Sequence, residues 1–316
     1  MKRRDFITKT AQSGIALSTL GIYACKNNSK EKKQEMQESI IKENSLFFKI
    51  SLAQWSLHKT LFAKEMDNLD FASRSRKLGC EGLEYVNAFF KDKAKDMTYL
   101  KEMNSRAKAE GQENVLIMID GEGELAHANT ADRIKAIENH YKWVEAAHFM
   151  GCQAIRVNLG GGTDKAEAVK ASIDSLTKLS EFAHGSDINV LVENHGGFSS
   201  DGVWMTEVFS QVKNENCGTL PDFGNFCIQN GPDGCLKEYD RYKGMQELLP
   251  FAKAVSAKSY AFDAEGNETT IDYHRVMKMV KESGYKGIVG IEKEGENPEE
   301  EALNYTREIL IKDGKQ

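Results

Sequence analysis

Basic charge is the first thing this sequence has too little of. Its 316 residues carry 42 Lys and Arg against 48 Asp and Glu, a net charge of −6. No basic excess exists to neutralise phosphates, so no nucleic-acid partner is expected. Proline is scarce, at 4 residues, which excludes long Pro-rich linkers. The six cysteines (Cys25, Cys80, Cys152, Cys217, Cys227 and Cys235) form no C-x-x-C pair, which argues against a thiolate zinc site. Residues 15–24 are apolar but too few to span a bilayer as a helix. With 40% apolar and 28% charged residues, the composition is that of an ordinary globular protein, and collagen, coiled coil and wholesale disorder are excluded.

What is present begins with an address. Lys2, Arg3 and Arg4 precede the apolar run, in signal-peptide proportions. Arg3-Arg4-Asp5-Phe6-Ile7 resembles a twin-arginine export signal, and Ile22-Tyr23-Ala24-Cys25 resembles a lipobox that would lipidate Cys25. Residues 1–24 therefore read as an export signal, 25–45 as a polar flexible tether, and 46–316 as one catalytic domain. The expected location is periplasmic, with any membrane link made by lipid on Cys25 alone. Without residues 1–24 the chain holds 38 basic against 47 acidic residues, which does not favour anionic lipid. Cys227 and Cys235 lie in one loop and can bridge in an oxidising compartment, whereas Cys80 and Cys152 read as small buried thiols.

From residue 47 onward, short apolar runs alternate with amphipathic stretches. Strand-like runs fall at 48–55, 82–87, 114–120, 154–158, 188–194, 218–223, 252–260 and 287–292. Helical stretches fall near 67–78, 96–110, 129–149, 164–184, 201–213, 237–249, 270–283 and 297–311. Eight strand–helix pairs in strict alternation predict parallel strands joined by crossover helices, at the size of a single (β/α)₈ TIM barrel. A doubly wound open sheet is the alternative, but no G-x-G-x-x-G follows the first run. Gly79, Gly111, Gly151, Gly185 and Gly284 are placed as helix C-caps, and Asp67 and Thr163 as N-caps.

Chemistry in such barrels sits at the C-terminal strand ends. Here those ends hold Gln54 and His58, Glu84 and Asn87, Asp120 and Glu122, Arg156 and Asn158, Glu193 and His195, Asp222 and Asn225, Ser256 and Lys258, then Glu292 and Glu294. A purely structural barrel has no need of this, because an unpaired buried carboxylate costs several kcal/mol. Residues of equal parity along a strand, such as Glu193 with His195 and Ser256 with Lys258, point to one side. The remaining histidines (His127, His140, His148, His184 and His274) fall on helices or loops and read as surface or packing residues. Residues 160–162, three glycines, read as a loop after the fourth strand rather than a phosphate cradle.

LVENHGG (191–197), LPDFGNF (220–226) and VGIEKEG (289–295) resemble motifs of the sugar phosphate isomerase/epimerase family, as do SLAQWSLHKT and GLEYVNAFF. The resemblance spans residues 47–312 and implies a xylose isomerase-like TIM barrel. It also implies one divalent metal (Mn²⁺, Mg²⁺, Co²⁺ or Zn²⁺), held by Glu193, Asp222 and Glu292 plus a histidine on the seventh strand. At that histidine's place this sequence has Ser256, within AVSAKSYAFD. Either His195 supplies an imidazole or Lys258 replaces the cation.

Carried over, the family chemistry is metal-assisted proton transfer next to a carbonyl, through an enediolate. Glu193 and Glu292 would move the proton, and Lys258 and Arg156 would stabilise the oxyanion. His58, Glu84, Asp120, Arg156 and His195 would bind a free sugar or sugar derivative. Trp55 and Phe90 are candidates for an apolar face against the ring. The plain alternative is that Glu193, Asp222 and Glu292 form salt bridges to Arg156 and Lys258. A lyase or hydrolase on keto-sugars and a tethered, non-catalytic sugar-binding protein are the competing functions. A nuclease of the endonuclease IV type is disfavoured by the missing histidines and the negative charge.

Overall fold

Parallel strands covered by helices on one face and a filled barrel on the other must be apolar on both. Gly82–Val86 and Ile288–Lys293 are buried throughout and apolar except at Glu84, Glu292 and Lys293. The computed structural model describes residues 45–315. The expected export signal, Cys25 and all of the tether but its last residue lie outside the described residues.

The strands are β1 (Lys49–Ala53), β2 (Gly82–Val86), β3 (Glu113–Met118), β4 (Ala154–Val157), β5 (Asn189–Glu193) and β6 (Cys217–Leu220), followed by β7 (Cys227–Gly231), β8 (Gly234–Glu238), β9 (Val255–Ser259) and β10 (Ile288–Lys293). Eight of them pair in parallel in the order β6-β5-β4-β3-β2-β1-β10-β9. Bridges close the circle between β6 and β9. The Ser256 amide donates to the Pro221 carbonyl at 2.9 Å, and the Phe223 amide donates to the Ser256 carbonyl at 3.1 Å. The result is the expected single (β/α)₈ barrel. Among the described residues, no helix is long and apolar enough to cross a membrane.

Crossover helices follow as α1 (His58–Phe62), α2 (Phe71–Lys77), α3 (Met97–Ala109), α4 (Thr130–Met150), α5 (Lys165–His184), α6 (Gly202–Gln211), α7 (Arg241–Leu248), α8 (Tyr273–Glu282) and α9 (Glu299–Asp313). Four of the five expected C-cap glycines take the left-handed conformation; Gly185 does not, and Asp187 (φ 55°) makes that turn instead. Asp164, not Thr163, caps α5, because its carboxylate accepts from the amides of Ala166 and Glu167. The expected helix at 237–249 begins only at Arg241. Ahead of it, β7 and β8 form a hairpin around Pro232-Asp233-Gly234, tied by a Cys227–Cys235 disulfide.

Strand alternation sorts the barrel interior into layers. Leu191, Leu220, Ala254 and Ile288 belong to an apolar cluster with Ala53, Val86, Leu116 and Ala154. Moving two residues along the same face of each strand replaces Leu191 by Glu193, Leu220 by Asp222, Ala154 by Arg156 and Ala254 by Ser256. The apolar plug thus carries a charged layer on its C-terminal side. Gly290 lies in this transition, where a Cβ would collide with the Glu84 carboxylate. Its missing side chain makes room for Glu84 inside the barrel.

Candidate active site

Three carboxylates converge at the C-terminal end of the barrel. Glu193 on β5, Asp222 just past β6 and Glu292 on β10 are buried, each with an oxygen within 4.8 Å of the others. Asparagines set the backbone here. The Asn194 amide donates to the Asp222 carbonyl, and its oxygen accepts from the Asp222 amide at 2.7 Å. Asn87 clamps Asp120 in the same way, at 2.9 and 3.0 Å. An amide just past one strand thereby positions the carboxylate past the next.

Each carboxylate then meets its own partners. Asp222 Oδ1 accepts from the amides of Gly224 and Asn225, both at 2.8 Å, and its Oδ2 accepts from the Ser256 hydroxyl at 2.6 Å. Glu292 faces Lys258, whose Nζ lies 2.5 Å from Glu292 Oε1, 3.5 Å from Glu294 Oε2 and 4.0 Å from Asp222 Oδ2. Glu193 Oε1 accepts from the Asn225 side chain at 2.9 Å. Its Oε2 lies 2.9 Å from Arg156 Nε, but that N–H is not directed at it, so the two attract by charge while Oε2 receives no hydrogen bond. Arg156 also donates to Asp120 at 2.7 Å and to Asn158 at 3.3 Å.

Burial dominates the proton affinities. It pushes Glu193 and Asp222 above the ordinary carboxylate range, against the pull of Arg156 and Lys258 respectively. Burial pushes Glu84 up to about 8, with the Ser51 hydroxyl opposing and Glu292 and Glu193 adding to the rise. Lys258 is also opposed by burial, but Glu292, Asp222 and Glu294 outweigh it and hold the ammonium charged. Burial lifts Asp120 as well, yet Arg156, His195 and Asn158 bring it below its usual value. His195 is exposed at the mouth, and the protein around it together with the Arg156 and Lys258 cations lowers its proton affinity, which favours the neutral imidazole.

The sequence candidates thus divide. Glu193, Asp222, Glu292, Lys258 and Arg156 form one ionic network, with Asp120 and His195 on its open side. Glu84 sits deeper, fully buried, bonded to the Ser51 hydroxyl at 2.5 Å. His58 lies at the rim, its Nδ1 2.7 Å from the Trp55 carbonyl and its ring stacked on Trp55. Phe90 is corrected: it is 3% exposed and packs edge-on against Trp143, and it is Phe89 that meets Trp55. One step along the irregular segment after β2 exchanges an outward ring for an inward one. Glu122, also at a strand end, turns away to bind Lys142 and the Trp143 indole. Gly160 and Gly161 pack on the Glu124 side chain and Gly162 on Ala168, so the loop faces a carboxylate rather than an open cradle. Asn225 and Glu294 stand beside motif carboxylates in the sequence, but nothing in their spacing assigns them partners. Clefts of about 590 and 700 Å³ lie at the outer helices around Tyr242, and none of the site carboxylates lines them.

The residues suit a hard divalent cation. Three carboxylates converge, and Glu193 Oε2 lacks any hydrogen bond. The three carboxylates offer hard oxygen ligands of the kind divalent cations take, and the Lys258 ammonium, 2.5 Å from Glu292, shares the same cluster.

An eight-stranded parallel barrel with its charged centre at the C-terminal strand ends defines a TIM-barrel protein of enzyme-like architecture. The family model described as Xylose isomerase-like TIM barrel matches residues 72–312, and the chain belongs to that family. A comparison with curated proteins found no match. Among solved structures, a D-psicose 3-epimerase determined in the presence of D-fructose superposes with a TM-score of 0.66 at 13% identity, covering 84% of this chain and 100% of that one. The 3-keto-D-glucoside 4-epimerase of E. coli gives 0.63 at 13% identity, covering 83% and 98%. A Xylose isomerase-like TIM barrel protein from Mycobacterium smegmatis, in complex with magnesium, gives 0.59 at 15%, covering 80% and 88%. At these identities the likeness establishes the fold.

Proposed function

We propose that the protein is a sugar isomerase or epimerase that moves a proton at the carbon next to a carbonyl. The observation that carries this reading is Glu193. It is buried, raised in proton affinity and bears one oxygen without a hydrogen bond, across the cluster from Glu292. A carboxylate poised near neutrality can take a proton and return it. Glu292 serves as the second acid–base group on the opposite side. Arg156 and Lys258 supply fixed positive charge to an enediolate oxygen as it forms, in a site that excludes water. Asp120 and neutral His195 face the open side, where sugar hydroxyls would bind. Glu193, Asp222 and Glu292 would hold one divalent metal, which when bound supplies Lewis-acid polarisation of the substrate carbonyl. The epimerase neighbours support this substrate class.

Solvent deuterium exchange into a panel of free ketoses and keto-glycosides, read by NMR, tests the proposal. Exchange by the wild type that is lost in Glu193→Gln supports it; no exchange with any member, with or without Mn²⁺, overturns it. One observation favours the second reading, a non-catalytic sugar-binding protein. Ser256 and Lys258 already satisfy Asp222 and Glu292 from within. Sugar binding without exchange would select it.

We also propose export to the periplasm, with lipid on Cys25. The Cys227–Cys235 disulfide supports the export reading, because such bonds persist in oxidising compartments. Fractionation of a Cys25→Ala variant checks the lipid: the wild type is expected with membranes and the variant in the soluble fraction.

A further inference from the structure

Glu193 Oε2 and Arg156 Nε are both buried and both lack a hydrogen bond, although they lie only 2.9 Å apart. A carboxylate and a guanidinium at that distance ordinarily align and share an N–H. Each is held out of line by its other bonds. On the arginine side, Nη1 donates to Asp120 at 2.7 Å and to Asn158 at 3.3 Å. On the glutamate side, the Asn225 side chain donates to Oε1 at 2.9 Å. The end torsion of a glutamate is broad and nearly two-fold, so a carboxylate without such a bond turns and exchanges its oxygens. Beside Arg156, a turned carboxylate would accept the Nε–H and lose its free oxygen.

Asn225 is itself fixed through its backbone. Its N–H donates to Asp222 Oδ1 at 2.8 Å, and its carbonyl accepts from the Asn194 side chain at 3.1 Å and from the Ser200 hydroxyl at 2.7 Å. The next residue, Phe226, is fully buried, and its ring lies where a Cβ on Gly244 of α7 would be. Any residue but proline would supply the same N–H and carbonyl at 225. Only the side-chain amide calls for asparagine, and its bond goes to Glu193. The turn after β6 therefore has no need of this amide, whereas the orientation of the carboxylate does.

We propose that Asn225 is a positioning residue for the proton transfer: by holding Oε1 it keeps the Glu193 carboxylate turned away from the Arg156 N–H, and so keeps Oε2 free to take the substrate proton. This deepens the isomerase/epimerase reading and rests on it. Arg156 then lends its charge to the site without occupying the base. A general base works through an unoccupied oxygen aimed at the proton it removes, and a misplaced group costs about 10²-fold in rate.

The test is a double-mutant cycle on the full chain, with Asn225→Ala, Glu193→Gln and the two combined. Solvent deuterium exchange into the ketose and keto-glycoside panel is one readout. Asn225→Ala is expected to lower kcat about a hundredfold with KM within about twofold. In the Glu193→Gln background it should cost nothing further, because a residue that acts through Glu193 has no effect once that carboxylate is gone. The second readout needs no substrate. Infrared difference spectra against the matching Glu193→Gln protein isolate the Glu193 carboxylate band, with and without the Asn225 amide, and the band should move when the amide is removed. Asn225→Ser, which keeps a turn-forming side chain but lacks the amide, carries the same expectations if the alanine variant does not fold. An unmoved band, a kcat near that of the wild type, a loss carried by KM, or a full further loss in the Glu193→Gln background overturns the assignment. A wild type that exchanges into no member of the panel overturns the isomerase/epimerase reading and the catalytic role of Asn225 with it, whereas wild-type exchange that survives the Asn225 variants overturns only this inference.

Discussion

Lys258 is the residue on which the charge balance of the centre turns. Its ammonium is 1% exposed and faces Glu292, Asp222 and Glu294. Removing one partner of a buried ion pair typically costs about 3–5 kcal/mol, because the remaining charge is left uncompensated. Lys258→Met is therefore expected to lower Tm by about 10 °C in a domain of this size. The same substitution vacates the space beside Glu292 and Asp222, so Mn²⁺ should raise Tm of the variant more than that of the wild type. Thermal melts with Mn²⁺ and with EDTA check both points, and equal metal shifts would show that Lys258 does not compete with the cation. Glu193→Gln and Glu292→Gln keep shape and remove the proton-transfer group. Each is expected to cut deuterium exchange by about 10²–10⁴-fold; Glu193→Gln, which leaves Arg156 paired with Asp120, should change Tm little, whereas Glu292→Gln should lower it because it takes the nearest partner from the buried Lys258 ammonium.

At the scale of elements, the β7–β8 hairpin tests how local the disulfide's contribution is. Every residue of β8 is exposed, and the hairpin pairs with no barrel strand. A cross-link over so short a loop constrains the unfolded chain by about 2–3 kcal/mol. Cys227→Ser with Cys235→Ser is thus expected to speed amide hydrogen exchange across the hairpin by about a hundredfold while the barrel strands keep their protection. Loss of protection throughout the barrel would show instead that the hairpin holds β6 against β9. The hairpin is also where the sequence was least legible. Lys237 and Glu238 of β8 were read into the helix expected at 237–249, because they run on into its polar first turn and the Pro232-Asp233-Gly234 turn marks only the hairpin's tip. The eight barrel strands were legible, since burial on both faces makes them continuous apolar runs. The carboxylates were legible too, as they end those runs. The asparagine clamps were not, because their bonds cross between strands far apart in the sequence, nor was the inward turn of Phe90, because irregular segments have no period to read.

The whole molecule integrates these charges into a pH dependence. Glu84, Glu193 and Asp222 are all raised by burial, Glu84 to about 8. In the unfolded chain the same groups release their protons near pH 4. Between that value and the folded one, the native state holds more protons than the unfolded state, so stability falls as pH rises. This contribution is complete below about pH 4 and is lost as pH climbs through the folded pKa values. Asp120 and Glu294 have the opposite sign. Burial lifts both, but Arg156 and Lys258, respectively, outweigh it and hold them low, so their contribution is present above the usual carboxylate range and lost only on acidification. The two trends place maximal stability on the mildly acidic side, with Tm declining from about pH 5 to 8 in EDTA. Glu84→Gln, neutral at every pH, should flatten that decline at its alkaline end. A bound divalent cation should reverse it, because its ligands must be ionised and its affinity grows as they lose their protons. Melts across this range, with and without Mn²⁺, separate the cases. A Tm that rises with pH in EDTA would mean that the carboxylates of the centre are ionised throughout and that Lys258 and Arg156 compensate them fully.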